Sequence, residues 1–248
     1  MTIAQEINDL KSRVSAAFSA CEEKSASMPA SRTTWTLADT IRTIPTGGSH
    51  EMDDSLIEGT STYYENSRVS TIGQGVFAYN KTLTSVNFPN VETIESEAFY
   101  YAGITNASFP KLKTIGTSGF AGASISNIFQ VFSNVEIIGS SAFRNCKKLT
   151  PSSVFYFPNV TSIGVYAFFS CSSAFYNRIT KLDLPKVRTI GSYMFSSKGY
   201  SNITEVNLPM LQKVDGLFCT SAKITSLDLP ELTTITSTYV FSNCSLLQ

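Results

Sequence analysis

The stretch "FPNVETIESEAF", Phe88 to Phe99, combines a proline, alternating apolar residues and an Ala-Phe pair. Its later part recurs along the chain: an apolar residue, a second apolar residue three positions on, and a Phe about five positions after that. The copies end at Phe77, Phe99, Phe120, Phe143, Phe168, Phe195, Phe218 and Phe241. The seventh copy is one residue shorter and the eighth is one residue longer. The stretch is therefore one unit of a repeat.

The part before each copy is a run of alternating apolar residues that ends at a proline, as in Leu83, Val86, Phe88 and Pro89. Alternation that ends at proline predicts a short strand. The period from Pro89 to Pro110, 21 residues, is typical of solenoid repeats. One such coil is too small to bury a core alone. The sequence therefore predicts a repeat solenoid, with a ladder of short parallel β-strands on one face and turns or single-turn helices on the other.

Two stretches carry a family resemblance: "LTSVNFPNVETIESEAF" (83–99) and "ITKLDLPKVRTIGSYMF" (179–195). They resemble BspA-like leucine-rich repeats, in which a Pro-terminated strand precedes an Ile-Gly turn and an Ala-Phe pair, often with Cys three positions later. The resemblance covers residues 69–248. The departures are Ser133 in place of proline, the short copy at Val214, and lengthened connections between residues 124 and 179.

Composition narrows the possible partners. The chain has 248 residues, of which 15% are charged, below the roughly 25% of an average domain. Its 19 basic and 19 acidic residues form no basic cluster, so we expect no nucleic-acid partner. Without a run of about 18 apolar residues we expect no membrane insertion. The first residues do not form a signal peptide, so we expect synthesis in a cytoplasm without secretory export.

Residues capable of catalysis are scarce. The only histidine, His50, lies in the linker-like stretch "GGSHEMDD" (47–54). Cys146, Cys171 and Cys244 each follow a repeat Phe by three positions, so we expect small buried thiols rather than metal ligands. We therefore predict no enzyme activity, no cofactor and no metal site. The alternative is a hydrolase that uses carboxylates such as Glu95 or Asp183.

The N-terminal segment has a different periodicity. Apolar residues recur at spacings of four and three, which predicts an amphipathic helix with a heptad seam. These residues are Ile3, Ile7, Leu10, Val14, Ala17 and Cys21. The helix either self-associates as a short coiled coil, with a trimer favoured only by family analogy, or folds back on its own chain. We divide the chain into a helical attachment or oligomerisation segment (1–45), a linker (46–57) and the solenoid (58–248).

Two sets of residues are candidates for binding. The first comprises residues between the apolar strand positions, which we expect to project outward as a polar stripe. They are Ser85, Asn87, Asn106, Ser108, Lys181, Asp183, Glu205, Asn207 and Asp228. Such a row of amides, hydroxyls and carboxylates suits a carbohydrate or a polar protein surface. The alternative is a simply solvated sheet face.

The second set comprises tyrosines in the turns and lengthened connections: Tyr100, Tyr101, Tyr156 and Tyr176. Tyrosine among Ser, Asn and Gly is typical of adaptable binding loops. The alternative is that these rings pack over the ends of the coils. Because solenoid insertions collect on one face, we expect residues 124–176 to be the specificity region.

A helical head followed by "DDSLIEGTSTYYENSRVSTIG" (53–73) and these repeats resembles leucine-rich-repeat structural proteins encoded by phages and prophages of gut bacteria. The resemblance implies a virion component, either a tail fibre or receptor-binding protein or a capsid decoration. Its partners would be a cell-surface glycan or protein and, through the N-terminal helix, other virion proteins. The alternative is a bacterial surface adhesin of the BspA-like type, which binds host matrix or other cells.

Deletion of residues 1–45 tests the oligomerisation hypothesis. We expect the truncated chain to keep a folded solenoid and to form a smaller assembly, because the heptad seam is lost while the repeats remain. Analytical ultracentrifugation measures the number of chains per particle. The same number in both forms would exclude the coiled coil.

Overall fold

The computed structural model describes residues 62–150, 152–195, 202–216, 218, 222–237, 239–244 and 246–247. The predicted N-terminal helix, with Ile3, Ile7, Leu10, Val14, Ala17 and Cys21, and the linker 46–57 lie outside these residues. The described elements are β1 (Tyr63–Glu65), β2 (Thr71–Ile72), β3 (Ser85–Asn87), β4 (Thr93–Ile94), β5 (Asn106–Ser108), β6 (Thr114–Ile115), α1 (Ile128–Val131), β7 (Ile137–Ile138), β8 (Val154–Tyr156), β9 (Ser162–Ile163), α2 (Ser173–Arg178), β10 (Lys181–Asp183), β11 (Thr189–Ile190), β12 (Glu205–Asn207), β13 (Lys213–Val214) and β14 (Thr234–Ile235).

The longest sheet has eight parallel strands, in the order β2-β4-β6-β7-β9-β11-β13-β14. Each strand pairs residue for residue with the strand one coil away, so that Ile72 lies beside Ile94 and Ile94 beside Ile115. The fold is thus the predicted parallel solenoid, and the eight strands of this sheet are joined by about seven coils. The continuous ladder, however, is built from two-residue strands, five of them Thr-Ile pairs, at positions that the sequence interpretation treated as turns.

The five Pro-terminated strands, together with β1, form two separate three-stranded parallel sheets, β1-β3-β5 and β12-β10-β8. Between them, in sequence, lies α1 instead of a strand. The apolar residues in and next to α1 follow helical rather than alternating spacing. They are Ile125, Ile128, Phe129 and Phe132, and all but Phe129 are buried. The prediction of one unbroken strand ladder on this face is therefore wrong at this coil.

Two columns of aromatic rings fill the interior. Phe99, Phe120 and Phe143 are fully buried, and successive ring centroids are 5.0 and 5.6 Å apart with planes within 2° of parallel. Beside them, Phe88 stacks on Phe109 at 5.7 Å. Offset stacking of this kind adds to the free energy gained by burying the rings. Because each ring contacts the equivalent ring of the next coil, the core is continuous, as the repeat predicts.

The glycine after several ladder isoleucines permits close approach of neighbouring coils. A Cβ atom on Gly164 would lie 2.4 Å from the backbone nitrogen of Ser140 and 2.6 Å from the carbonyl carbon of Gly139. Gly139 and Gly191 make equivalent contacts with the backbone of the preceding coil. The Ile-Gly pair in the repeat is therefore explained by packing between coils rather than by an unusual backbone angle.

The lengthened connections are part of the core. Ser172 caps α2, accepting a hydrogen bond from the Phe175 backbone N–H at 3.1 Å, and α2 then buries Phe175 and Tyr176. Phe129 packs edge-on against Phe155 at 5.6 Å between ring centroids. Phe129, Phe175 and Tyr176 therefore help to fill the wider coils. For the outward-facing side chains of residues 124–176, the specificity region stays a prediction.

We predict that Phe120→Ala lowers the free energy of unfolding by about 3–5 kcal/mol, because it removes a fully buried ring from the column. Urea denaturation followed by circular dichroism measures the change. Tyr156→Ala is the control, since Tyr156 is 45% exposed and its loss should cost about 0.5 kcal/mol or less. Equal losses in the two variants would contradict the assignment of Phe120 to the core.

We predict that Gly164→Ala destabilises the solenoid by about 1–3 kcal/mol, because the new methyl group overlaps the backbone of the preceding coil. The matched control is Gly75→Asn. Gly75 has a φ of 68°, which Asn tolerates, and an added Cβ there meets no atom within 4 Å. The same denaturation assay should show the Asn variant within about 0.5 kcal/mol of the parent protein. A Gly164→Ala variant as stable as the control would contradict the close packing of coils.

Candidate functional site

The third side of each coil is a turn segment, which we define as the five residues centred on the repeat Phe, such as residues 97–101. Backbone N–H groups of Glu97, Phe99 and Tyr101 donate to carbonyl oxygens of the next coil at 2.7–2.9 Å. Between these residues the backbone closes tight turns, with the Tyr100 N–H donating to the Glu97 carbonyl. The turn segments are thus fixed by hydrogen bonds to their neighbours and present a rigid surface.

The first residue of the turn segment has a left-handed backbone in the first six coils, and the last residue has one in the first five. Several coils place residues there that tolerate this conformation, such as Gly75, Gly122 and Asn145. Four positions instead hold tyrosine: Tyr79, Tyr101, Tyr166 and Tyr193, with φ from 51° to 61°. A bulky residue in this conformation costs on the order of 1 kcal/mol or more. The same conformational cost recurs at these four related positions, so the four tyrosines are candidates for a functional role.

The first tyrosine cluster lies on two adjacent coils. Tyr79 and Tyr101 stack with ring centroids 6.0 Å apart and planes 7° from parallel, and Tyr100 packs edge-on against both. The Lys81 ammonium lies 5.5 Å from the centre of the Tyr101 ring and donates to the Tyr101 carbonyl oxygen. Tyr101 lies directly over Gly122, where an added Cβ would meet the ring at 2.7 Å. Tyr79, which is 56% exposed, is the ring most open to solvent.

A second cluster lies further along the same side. Tyr166 and Tyr193 stack at 5.1 Å, and Phe169 packs edge-on against both rings. The Arg144 guanidinium carbon lies 5.6 Å from the centre of the Tyr166 ring and 5.7 Å from that of Phe169. Both distances are within the range of cation–π attraction. We call the six rings of both clusters the aromatic row: Tyr79, Tyr100, Tyr101, Tyr166, Phe169 and Tyr193.

Local electrostatics show that the first cluster is partly removed from water. Burial is the main cause that raises the pKa of Tyr100, with smaller contributions from the neighbouring phenols and the Glu97 carboxylate. Arg144 acts in the opposite direction on the same pKa.

The polar stripe has the predicted orientation. Ser85 lies beside Asn106, and Lys181 beside Glu205, with the buried strand residues between them facing inward. Asp228 is exposed but lies outside any strand. Because α1 separates the two small sheets, the stripe is not the continuous row expected from the repeat. Its role in binding stays a prediction.

Much of the polar stripe is engaged within the molecule. The Asn207 amide donates to Asp183 at 2.7 Å, and the Asn87 amide donates to Glu65 at 2.9 Å. Lys181 and Glu205 form an ion pair at 3.2 Å. These contacts give the stripe a stabilising role between coils, and exposed pairs of this kind contribute about 1 kcal/mol or less.

The four predicted tyrosines have different environments. Tyr100 and Tyr101 lie together in the aromatic row, whereas Tyr156 is exposed on strand β8, away from the turns. Tyr176 is 5% exposed. Its hydroxyl donates to the Phe168 carbonyl oxygen at 2.6 Å and accepts from the Cys171 backbone N–H at 2.9 Å. Tyr176 is thus a core residue, and the hypothesis that it contacts a ligand is wrong.

The sequence interpretation missed Tyr166, Tyr193, Arg144 and Lys81. A signal for them is present in the repeat register. Tyr166 and Tyr193 stand two positions before a repeat Phe, and Tyr79 and Tyr101 two positions after one. Aligning the copies on the repeat Phe would have placed these tyrosines at two positions, one on each side of the Phe. Only the structure reveals that both positions adopt a left-handed backbone.

Outside the aromatic row, the described residues include two buried cysteines and carboxylates such as that of Glu95. No three His, Cys, Asp or Glu side chains among them are placed to hold a metal ion. Burial raises the pKa of Cys146 well above its ordinary value and that of Cys171 to about 12, so both thiols stay protonated. The Glu95 carboxylate accepts a hydrogen bond from the Gln74 backbone N–H at 3.0 Å.

Among the residues that the structure describes, no helix is long and apolar enough to cross a bilayer.

Comparisons with known proteins agree with this architecture. A comparison with curated proteins finds no match. Among solved structures, the fold is similar to a leucine-rich repeat protein from Bacteroides ovatus, with a TM-score of 0.53 and 19% identity. The similarity covers 75% of this chain and 54% of that protein, so the chain spans about half of that protein's length. At this identity the likeness concerns the fold alone.

The family model for the BspA type leucine rich repeat region matches six copies, over residues 60–174 and 129–248. These residues make up most of the sequence and include every described coil. The chain therefore belongs to the BspA-type leucine-rich repeat family.

Proposed function

We propose that the chain is a non-enzymatic binding protein whose solenoid recognises a bacterial cell surface. The single observation that carries this proposal is the aromatic row, a set of partly exposed rings held on a rigid backbone. Tyr and Phe give large contact area with little loss of conformational entropy on binding. Since the interior is filled by phenylalanine columns, a ligand would be met by the outer surface rather than by an internal cavity.

The biological setting that we propose is a virion, in which the chain acts as a tail-fibre or receptor-binding component or decorates the capsid. The resemblance of the N-terminal segment and repeats to phage-encoded structural proteins supports this setting. The N-terminal helix would attach the solenoid to other virion proteins or to further copies of the chain, with a trimer as one arrangement. Several copies on one particle would raise the avidity of weak individual contacts.

The second candidate is a bacterial surface adhesin that binds host matrix or other cells. Membership of the BspA-type family is as compatible with this adhesin as with a virion component. Both candidates use the same solenoid surface, and they differ in where the protein resides.

Fractionation of a producing culture separates the two settings. We expect an antibody against the solenoid to detect the protein in phage particles purified by density-gradient centrifugation, because a structural component stays with the particle. Intact producing cells treated with protease serve as the comparison. Protein that is absent from particles but removed from the cell surface by protease would favour the adhesin.

A further inference from the structure

We propose that the aromatic row binds a linear anionic polysaccharide. This inference rests on the proposed binding function and specifies the chemistry of its ligand. The observations that carry it are the regular spacing of the rings and the cations that lie against them.

The spacing of the rings favours a ligand that itself repeats. Stacked rings on successive coils are 6.0 Å apart in the first cluster and 5.1 Å apart in the second. Between the clusters lie coils whose turn segments carry Gly122 and Asn145 in place of an aromatic residue at the last position. An extended polymer can contact both clusters at once, and contacts joined in one chain strengthen each other through their effective concentration. A polysaccharide has this form.

The chemistry of the rings suits a sugar. Pyranose units have apolar C–H faces and a rim of hydroxyl groups. Tyrosine offers the matching combination of a flat apolar ring and a hydroxyl that donates and accepts hydrogen bonds. The Tyr79 side chain is 56% exposed, and the Tyr79 backbone N–H donates to the Tyr100 carbonyl oxygen. The ring is therefore accessible to a ligand while its backbone is fixed.

Charge complementarity favours an anionic ligand. Lys81 lies against the first cluster and Arg144 against the second. Lys147 occupies the same register as Lys81, four positions after its repeat Phe, and likewise donates to a carbonyl oxygen of the next coil, that of Ser170. The acids at the first cluster and its edge are Glu97 and Glu95, whose carboxylate accepts the Gln74 N–H. Lys81, Arg144 and Lys147 outnumber them, whereas the whole chain has 19 basic and 19 acidic residues.

The direct test is a binding assay with the purified full-length chain and immobilised polymers at low salt. The acidic polysaccharides are polygalacturonate, hyaluronate and dextran sulfate; neutral dextran and poly-L-glutamate are the comparison polymers. We expect binding to at least one acidic polysaccharide, at least about tenfold tighter than to either comparison polymer. Binding to none of the three, or equal binding to poly-L-glutamate, would overturn the proposal; the latter would indicate an acidic protein as ligand.

Variants locate the binding to the aromatic row. Tyr79→Asn uses the residue that the chain itself places at this register at Asn145, so the backbone should be retained. We expect Tyr79→Asn and Arg144→Gln each to raise the Kd by about fivefold or more. Glu97→Gln removes the opposing charge and should lower the Kd by about two-fold or more at low salt.

The matched controls lie on other faces. Tyr63→Ser removes a ring of similar exposure from β1, and Arg188→Gln removes an exposed cation beside the long ladder. We expect both to leave the Kd unchanged. Controls that weaken binding as much as Tyr79→Asn would overturn the assignment to the aromatic row.

The failure of this inference can be separated from failure of the proposed function. Labelled protein that binds whole bacterial cells with the same affinity in the parent, Tyr79→Asn and Arg144→Gln forms would leave the cell-binding function standing. It would show that another surface, such as the polar stripe, makes the contact. Absence of cell binding in every form, together with binding to no polymer, would count against both.

Discussion

The structure depends on the close and regular contact of each coil with the next. Parallel pairing aligns Ile72, Ile94 and Ile115 in one row, and buried rings such as Phe99 and Phe120 stack on successive coils. Backbone hydrogen bonds and side-chain stacking thus both join each coil to the next. A substitution that breaks this contact would also destabilise the neighbouring coils, because each unit in a solenoid is stabilised mainly by its neighbours.

The same constraint shapes the outer surface. Glycine follows the ladder isoleucine where the backbones of two coils approach too closely for a side chain, as at Gly164. Threonines at the corners, including Thr105 and Thr180, donate from both the backbone N–H and the side-chain hydroxyl to a carbonyl of the preceding coil. These interactions explain why a chain with only 15% charged residues uses so many small hydroxyl side chains. Polar groups between coils find partners inside the protein.

The turn segments provide a rigid surface on which sequence can vary. Their backbone is fixed by hydrogen bonds to the next coil, while outward side chains such as Tyr100 and Arg144 do not fill the core. Variation there costs little stability, except where a bulky residue adopts the left-handed conformation, as at Tyr79. This separation of a constrained interior from a variable exterior lets one fold carry different binding surfaces.

The sequence by itself determined the parallel solenoid, the core role of residues such as Phe99, and the outward orientation of the polar stripe, because each follows from a period in the residue pattern. It could not show which short segment forms the continuous ladder, since two residues per strand are too few for an alternation signal. The tertiary structure alone decided that Tyr176 is buried and that Tyr79 lies beside Tyr101. Tyr79 and Tyr101 are about one coil apart in sequence, whereas Tyr176 bonds to Phe168 and Cys171 in its own coil. In both cases the path of the backbone sets which groups meet.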